Sequence, residues 1–359
     1  MLNKRQQEIL DNPSDVIFVE AAAASGKTRL LVEKIKKEVG ADKGTVVAFT
    51  FTNNAAEEIM DRLNEIDHSR LFIGTIHAYC YRLLMSNNII EAAQYVEDGE
   101  FDSLFELLKK HQNIIEDNYC VLCDEMQDCN MSQFDLMFKM MRWKKFFACY
   151  DKRQSIYRWR DAHPEYIDDY INTHPEVSVE YMMQNYRNGQ EILRYAKSLI
   201  RMAGDEYLDE SIAMCTHAGV VQVVDYSPSA IARGIQKATL SDEGNYGSWM
   251  VLTRTNDQLA QISSYLNDLN IPNESFKRAQ LDNATLKQKM NDNTVKVLTI
   301  HSAKGLEADN VVVIGAQFFN LEEKCISYVG ATRAKKILIW ASTNWKKAKS
   351  FVRINNWEE

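Results

Sequence analysis

The stretch Val16–Thr28, VIFVEAAAASGKT, decides the organisation of this 359-residue chain. It begins as a short apolar run typical of a buried parallel strand, continues through small residues, and ends in Gly26-Lys27-Thr28. An amphipathic, helix-prone segment follows at residues 29–39. Strand, small-residue loop, Gly-Lys-Thr and helix form the pattern of a phosphate-binding loop, whose backbone N–H groups face an anion. The general pattern has glycine where this chain has Ala21, so a chance small-residue loop stays open from this stretch alone.

A second apolar strand ends directly before a pair of acidic residues. Residues 119–123 are strand-like and run into Asp124-Glu125-Met126-Gln127-Asp128. Beside a phosphate loop, one carboxylate can hold Mg²⁺ and the other can accept a proton from attacking water. A solvated turn is the alternative reading. The position after a strand, downstream of the Gly-Lys-Thr loop, favours a Mg²⁺–nucleotide site.

Length and composition indicate a packed globular protein of about two domains. Hydrophobic residues make up 45% of the chain, and we find neither an apolar run of membrane-spanning length nor a signal-peptide pattern, so we expect a cytoplasmic protein. Seven cysteines at irregular spacing favour reduced thiols. Zinc binding by Cys120, Cys123 and Cys129 is disfavoured because no second ligand pair lies at finger spacing.

The charges are segregated along the chain. The net charge of −8 argues weakly against nucleic-acid binding, but residues 139–160 are strongly basic and residues 91–128 strongly acidic. Such segregation permits a local basic groove on an acidic protein, although a solvated face would explain either run alone. Within the basic run, Tyr157 and Trp159 alternate with Arg158 and Arg160. Aromatic rings flanked by arginines have the composition of a base-stacking platform, with a buried aromatic pair as the alternative.

Strands and helices alternate through both halves of the chain. A strand-like run begins at Val16, and others occupy residues 45–51, 71–74, 119–123, 146–150 and 177–181, and then 220–224, 249–253, 295–300, 310–314 and 337–341. Alternation of this kind predicts α/β domains built on parallel sheets. We expect domain 1 over residues 1–181, with a small helical insertion at about 81–117, and domain 2 over residues 182–359.

Eight motifs occur in a fixed order, and together they resemble those of the UvrD/Rep-type superfamily 1 helicases. They are AAAASGKT (21–28), FTNNAAEEI (51–59), GTIH (74–77), CDEMQD (123–128), DKRQSIYRWR (151–160), QNYR (184–187), TIHSAKGLE (299–307) and YVGATRA (328–334). The resemblance implies two RecA-like P-loop domains, each a mainly parallel sheet flanked by helices, with ATP between them. It implies an ATP-dependent DNA helicase that moves 3′–5′ on single-stranded DNA, uses Mg²⁺ and unwinds tailed duplex DNA.

The resemblance also implies roles for individual residues. Glu125 would activate water, Gln154 would couple the γ-phosphate to DNA, and Arg187 and Arg333 would act as arginine fingers on the charge that develops in phosphoryl transfer. The implied catalytic set is Lys27, Asp124, Glu125, Gln154, Arg187 and Arg333, with Thr28 and Asp124 holding the metal. The implied nucleotide-binding set is Gln6, Ala23, Ala24, Ser25, Gly26, Lys27, Thr28, Arg29, Tyr186, Gly305 and Glu307, in which Gln6 recognises adenine and Tyr186 stacks on it. The implied DNA-binding set is Thr52, Asn53, His77, Tyr157, Trp159, Arg254 and His301, for which burial inside the fold is the alternative.

Several positions depart from the family pattern. Ala24 replaces a usual glycine, and its Cβ restricts a conformation that only glycine adopts freely. Asn54 replaces a usual lysine, which removes one phosphate contact, and Tyr150 replaces a usual glycine. Members of the family insert sizeable subdomains, whereas here only about 40 residues separate the GTIH helix from the acidic motif, and about 40 separate Asn256 from Val295. The first insertion is therefore reduced and the second essentially absent.

Three function classes remain to be weighed. The leading one is the helicase. The second is a DNA-stimulated ATPase motor or switch subunit of a larger complex, which does not unwind alone and whose protein partner supplies duplex grip or a nuclease. A small-molecule P-loop kinase is disfavoured because it explains neither the paired arginines nor the aromatic-basic platform. The sequence does not decide between DNA and RNA.

Overall fold

The computed structural model describes residues 2–201, 207–240, 243–277, 281–316 and 320–343. The chain divides into two compact units: unit 1 comprises Met1–Ala21 and Gly26–Met182, and unit 2 comprises Ala22–Ser25 and Met183–Glu359. The loop residues Ala22–Ser25 are thus grouped with unit 2. Residues 344–359, which we assigned to domain 2 from the sequence, lie outside the described residues.

Unit 1 alternates strands and helices along most of its length. In chain order its elements are α1 (Lys4–Asp11), β1 (Val16–Ala21), α2 (Lys27–Gly40), β2 (Val46–Thr50), α3 (Asn53–Asp61), β3 (Leu71–Thr75), α4 (Ile76–Ser86), α5 (Glu91–Glu97), α6 (Ser103–Lys110), β4 (Asp117–Cys123), α7 (Met131–Asp135), β5 (Arg142–Tyr150), α8 (Glu165–Thr173) and β6 (Ser178–Met182). Helices α5 and α6 lie within residues 81–117, the segment predicted to be a small helical insertion.

All six described strands of the unit 1 sheet pair in parallel, in the order β3-β2-β4-β5-β1-β6. Both faces of the sheet are covered, because successive side chains of β1 enter different cores. Phe18 packs in one core and Ile17 and Val19 in the other, and all three are almost fully buried. Burying each such side chain contributes roughly 1.5–3 kcal/mol. The continuous apolar run of β1 is thus a consequence of burial on two faces.

Unit 2 repeats this organisation. Its elements are β7 (Gln184–Asn185), α9 (Gln190–Arg201), β8 (Ile212–Ala213), β9 (Val220–Asp225), α10 (Pro228–Leu240), β10 (Trp249–Thr253), α11 (Asn256–Asp268), β11 (Asn273–Ser275), α12 (Asn283–Asn291), β12 (Val295–Thr299), β13 (Ala308–Ile314), α13 (Leu321–Ala331) and β14 (Ala334–Ser342). The main sheet has the order β11-β12-β10-β13-β14-β9, and all of its described pairs are parallel. β7 and β8 form a separate parallel pair.

These sheets confirm the predicted fold class, two parallel-sheet α/β units of the RecA-like type. The alternation of strands and helices along the sequence did not predict β7, β8, α10, β11 or α12. Of these, the three strands are only two or three residues long, and α12 buries only Leu286 among its described side chains. Among the described helices, none combines the length and the apolar character needed to cross a lipid bilayer.

Candidate nucleotide and nucleic-acid site

Most predicted functional residues of unit 1 follow the carboxyl ends of its parallel strands, whereas Gln6 lies in α1, before β1. β1 ends before the phosphate loop, β4 ends before Asp124, and β5 ends before Asp151. Thr52 and His77 follow β2 and β3, whose last residues are paired in register. Because the strands are parallel, their carboxyl ends share one edge of the sheet, the usual ligand-binding edge of such folds.

Gly26 begins helix α2 in a conformation suited to glycine. Its φ of 88° lies in the left-handed region, and a Cβ at this position would lie 2.6 Å from Nε2 of Gln6. Gln6 is itself buried, and its Oε1 accepts the backbone N–H of Asn3 at 3.0 Å in a capping box. Gly26 offers no side-chain cap to α2. The first N–H groups of α2 therefore suit an anion such as a phosphate, and Gln6 lies against the same turn.

Lys27, Thr28 and Arg29 form the first turn of α2. Lys27 is buried, and its Nζ donates to the carbonyl oxygen of Ala21 at 3.3 Å and lies 4.0 Å from Oε1 of Glu125. Thr28 is half-buried and Arg29 is exposed. The ammonium group thus lies between the loop and the acidic pair, where it meets the charge requirement of a bound polyphosphate.

Ala24 adopts a φ of 54°, in the left-handed region that disfavours a side chain. Its neighbours Ala23 and Ser25 are buried. The left-handed conformation costs a non-glycine residue about 1–2 kcal/mol. The substitution of glycine by alanine at this position therefore stores strain in the loop.

Asp124 and Glu125 lie side by side after β4. Burial, and then the negative charge of Glu125, raise the pKa of Asp124 to about 7, although Lys27 opposes the shift. The backbone N–H of Glu125 donates to Oδ1 of Asp124 at 3.0 Å, and Glu125 has a φ of 52°. A carboxylate and a threonine hydroxyl both have the oxygen-donor chemistry that Mg²⁺ prefers, and a cation would favour the ionised form of Asp124. Asp124 and Thr28 thus fit the metal.

Gln154 is buried in the turn after β5. Its Nε2 donates to Oδ2 of Asp151 at 2.7 Å, and Oδ1 of Asp151 accepts from Nε of Arg153 at 2.6 Å. The backbone N–H of Asp151 donates in turn to the side chain of Gln127 at 2.9 Å. The structure therefore connects the turn that carries Gln154 to the acidic motif through Gln127. The motif string contains Gln127, but nothing in the sequence indicates which partner its amide takes.

In unit 2, Arg187 and Glu307 form an ion pair, with Nε and Oε2 2.5 Å apart. Gly305, with φ 86°, precedes Glu307 by two residues. Arg333 is buried, and its Nε donates to the carbonyl oxygen of Val329 at 3.0 Å. The Tyr186 ring is 46% exposed, as a base-stacking residue requires, and its hydroxyl donates to Oε1 of Gln184 at 2.6 Å.

Two buried asparagines, which the sequence interpretation did not single out, hold these residues in place. Oδ1 of Asn185 accepts the backbone N–H groups of Arg187 and Asn188, at 3.0 and 2.9 Å, and its Nδ2 donates to the carbonyl oxygen of Ala23 at 3.0 Å. Nδ2 of Asn188 donates to the carbonyl oxygens on either side of Arg333, those of Thr332 and Ala334. The backbones around both predicted arginine fingers are thereby tied to one buried pair. Asn185 lies inside the QNYR motif and Asn188 directly follows it, but nothing in the sequence indicates which partners their amides take.

An aromatic surface lies beside the turn after β5. The ring of Tyr157 stacks on Phe51, with centroids 4.7 Å apart, and lies 6.4 Å from the ring of Trp159. Trp159 is 68% exposed, and the guanidinium of Arg160 lies over both Phe51 and Trp159. An exposed ring with a stacked neighbour and a cation suits base stacking. Phe51, which directly follows β2 and begins the FTNN motif, is the member of this surface that the sequence interpretation missed.

The other predicted DNA-binding residues of unit 1 make defined local contacts. Thr52 caps α3 by accepting the N–H of Ala55 at 3.2 Å, and Asn53 beside it is exposed. His77 is partly buried against the ring of Phe105, and its Nε2 lies 3.4 Å from Oδ1 of Asp102. Burial lowers the pKa of His77 despite that carboxylate. His77 is therefore held by α6 and the residue before it.

In unit 2, Arg254 and His301 follow the carboxyl ends of the paired strands β10 and β12. The Arg254 guanidinium makes a two-pronged contact with Glu323, at 2.7 and 3.1 Å. His301 is half-buried. They lie at the same sheet edge, but Arg254 is already engaged by a carboxylate.

Comparison with known proteins agrees with this geometry. The UvrD/REP helicase N-terminal domain matches residues 2–112 and 88–175, and the UvrD-like helicase C-terminal domain matches residues 273–344. The Gabija protein GajB of Bacillus cereus (strain VD045) is 26% identical over 326 residues, which cover 78% of this chain and 65% of GajB.

Two further relatives are DNA helicases by name. A probable DNA helicase of Mycoplasma pneumoniae is 22% identical over 462 residues, covering 96% of this chain and 83% of the relative. The ATP-dependent DNA helicase PcrA of Bacillus subtilis is 24% identical over 290 residues, covering 56% of this chain but only 39% of PcrA. Two family models that match in the expected order, on two parallel-sheet units, show that this chain belongs to the UvrD/Rep-type superfamily 1 helicases.

Proposed function

We propose that this protein is an ATP-dependent translocase and helicase that moves 3′–5′ on single-stranded DNA and unwinds tailed duplex DNA. One observation carries the proposal: the Lys27, Asp124 and Glu125 site is joined by hydrogen bonds, through Gln127, to the turn that leads into Tyr157 and Trp159. An ATPase that single-stranded DNA stimulates requires a structural connection between its nucleotide site and its DNA-binding surface, and these hydrogen bonds supply one. The 3′–5′ polarity rests on family membership.

The proposed hydrolytic roles follow the local chemistry. Lys27 binds phosphate oxygens, Thr28 and Asp124 hold Mg²⁺, and Glu125 accepts a proton from the attacking water. When bound, Mg²⁺ supplies a positive charge that helps neutralise the phosphates. Gln6 and Tyr186 bind adenine, and Gln154 responds to the terminal phosphate. Arg187 and Arg333 neutralise negative charge during phosphoryl transfer, and the remaining nucleotide contacts come from Ala23, Ala24, Ser25, Gly26, Arg29, Gly305 and Glu307.

The proposed strand contacts use stacking and hydrogen bonding. Tyr157 and Trp159 stack on bases, which is largely independent of base sequence. Thr52, Asn53, His77, Arg254 and His301 contribute polar contacts at the carboxyl edges of their sheets. For Arg254 this requires sharing or releasing Glu323. A cytoplasmic location is part of the same proposal, since such DNA is found there.

A second function has support from the short insertions. Unit 1 holds α5, α6 and one turn of 3-10 helix between α4 and β4, and among the described elements β11 and α12 lie between α11 and β12. Segments of this length are too small to form another α/β domain. The alternative function is therefore a motor that unwinds only short duplexes, or none, unless a protein partner holds the duplex or supplies a nuclease.

Unwinding in a single turnover separates the two functions. The purified chain is bound to 3′-tailed duplexes of increasing length, and ATP is added together with excess trap DNA. We expect translocation along the tail and separation of short duplexes, with the yield falling steeply as the duplex lengthens. Efficient unwinding of long duplexes by the isolated chain would contradict the link between short insertions and weak grip. Translocation without strand separation at any length would favour the motor or switch subunit.

A further inference from the structure

Gln127 is fully buried although its side chain is polar, so both ends of its amide need hydrogen-bond partners. Nε2 donates to Oε2 of Glu125 at 2.5 Å, and Oε1 accepts the backbone N–H of Asp151 at 2.9 Å. One side chain thus connects the proposed general base, after β4, with the turn after β5. All of these residues lie in unit 1.

The segment after β5 makes a second hydrogen bond to Gln127. The Ser155 hydroxyl donates to the backbone carbonyl oxygen of Gln127 at 3.3 Å, and Ser155 is buried. Between these two contacts lies Gln154, bonded to Asp151. The aromatic surface of Tyr157 and Trp159 begins two residues after Ser155. A shift of this segment on strand binding would therefore move both the side-chain and the main-chain partners of Gln127.

The bond between Gln127 and Glu125 bears directly on hydrolysis. A general base must present a lone pair to the water whose proton it accepts, within hydrogen-bond reach. In this structure the amide of Gln127 occupies a lone pair of Oε2, and Lys27 lies 4.0 Å from Oε1. The left-handed backbone of Glu125, φ 52°, further limits where its side chain can point. The orientation of the base therefore depends on what Gln127 does.

We propose that Gln127 is a positioning residue that couples strand binding to hydrolysis: it holds Glu125 in a resting orientation until the segment of Ser155, Tyr157 and Trp159 binds a single strand. This inference rests on the proposed function, since it presupposes a strand-stimulated ATPase. It assigns Gln127 no contact with ATP or with the strand. The coupling is measured as the ratio of the ATP turnover rate with single-stranded DNA to the rate without it. The affinities for ATP and for single-stranded DNA should be little affected by a change at Gln127.

The test measures ATP turnover and KM with and without oligo-dT for Gln127→Met, which keeps side-chain length and removes both amide bonds. We expect the stimulation ratio to fall towards one because basal turnover rises, while KM for ATP and strand affinity change by less than about twofold. The matched control is Gln133→Met, since Gln133 is also buried but bonds Asn130 in a helix cap. It should lose some thermal stability and keep the parent's ratio.

Several outcomes would overturn the coupling role. One such outcome is that oligo-dT stimulates ATP turnover by Gln127→Met as strongly as by the parent. Another is that turnover with and without oligo-dT falls by the same factor, which indicates a purely structural role for Gln127. If Gln127→Met does not fold, Ser155→Ala decides: it removes one bond to Gln127, so a reduced ratio supports coupling and an unchanged ratio contradicts it. A parent protein that strand does not stimulate would contradict the proposed function instead.

Discussion

Nε of Arg187 lies 2.5 Å from Oε2 of Glu307, although the two residues are 120 positions apart in the chain. The other carboxylate oxygen, Oε1, lies 2.8 Å from Nζ of Lys335. Burial alone would raise the pKa of Glu307, but Arg187 and Lys335 outweigh it and lower the pKa to about 2. Glu307 is thus ionised under all ordinary conditions and holds the predicted arginine finger in place.

The first prediction concerns acid stability. The pKa of Glu307 is about 2 in the folded chain, well below its ordinary value of 4.5, so its ionised form favours folding. That contribution is complete above pH of about 5 and declines as the pH falls towards 2. Glu307→Gln should therefore be less stable than the parent at neutral pH, and the difference should shrink on acidification. Urea unfolding from pH 7 to 3 measures the difference in free energy of unfolding between the parent and the variant. Glu191→Gln, on the surface of α9, is the control. A difference independent of pH would contradict the ion-pair account.

The second prediction concerns the arginines. Arg187→Ala should lower kcat by roughly 10³-fold or more, the usual cost of losing an arginine finger, with the fold intact. Arg333→Ala should lower kcat similarly, but it also removes a buried side chain, so its Tm must be measured alongside. Arg194→Ala on the exposed side of α9 is the matched control. Parent-like hydrolysis by both variants would show that neither arginine acts in catalysis.

The third prediction concerns the aromatic surface. Trp159→Ala should weaken binding of a fluorescent single-stranded oligonucleotide by about 1–3 kcal/mol if a base stacks on the ring. Because Trp159 is 68% exposed, Tm and basal ATPase should stay close to the parent values. Tyr265→Ala, another exposed aromatic position, serves as control. Tyr157→Ala should also lose affinity, with some loss of stability, since Tyr157 packs on Phe51. Unchanged affinity in Trp159→Ala would remove the stacking role.

The fourth prediction concerns strain in the phosphate loop. Ala24→Gly should raise the free energy of unfolding by up to about 1 kcal/mol, because relief of the left-handed φ outweighs the entropy that glycine adds to the unfolded chain. Ala23→Gly in the same loop lacks that relief and should lower the free energy by about 0.4–1 kcal/mol. Thermal unfolding of both variants compares them. An equal loss in both would show that Ala24 is not strained.

The fold was predictable because burial on two faces leaves a strong trace in sequence. Strands β2 and β10 read as largely apolar runs, as do residues 16–19 of β1 and 119–123 of β4, and each strand is followed by a polar motif at the carboxyl edge. The three-residue strand β11 and helix α12 lack such a trace, since α12 buries only Leu286 among its described side chains. Short, half-exposed elements are defined by their neighbours in space.

The identities of candidate site residues were also readable, but their pairings were not. The family resemblance marks Arg187, Glu307 and Arg254 as functional candidates. It does not tell that Arg187 pairs with Glu307, or that Arg254 is held by Glu323. Such partners depend on which strand lies beside which in the sheet. The roles of Asn185 and Gln127 escaped for the same reason, since a buried amide is recognisable only once its partners are known.

The measurement that tests the central claim most directly is ATP turnover by the purified chain with and without single-stranded DNA, repeated for Lys27→Ala and Glu125→Gln. We predict Mg²⁺-dependent hydrolysis that single-stranded DNA stimulates. Glu125→Gln should bind ATP as the parent does but not hydrolyse it, because this variant removes only the general base. Lys27→Ala should bind ATP weakly, because it removes a phosphate ligand. Normal turnover by Glu125→Gln, or hydrolysis by the parent that is indifferent to single-stranded DNA, would contradict the account.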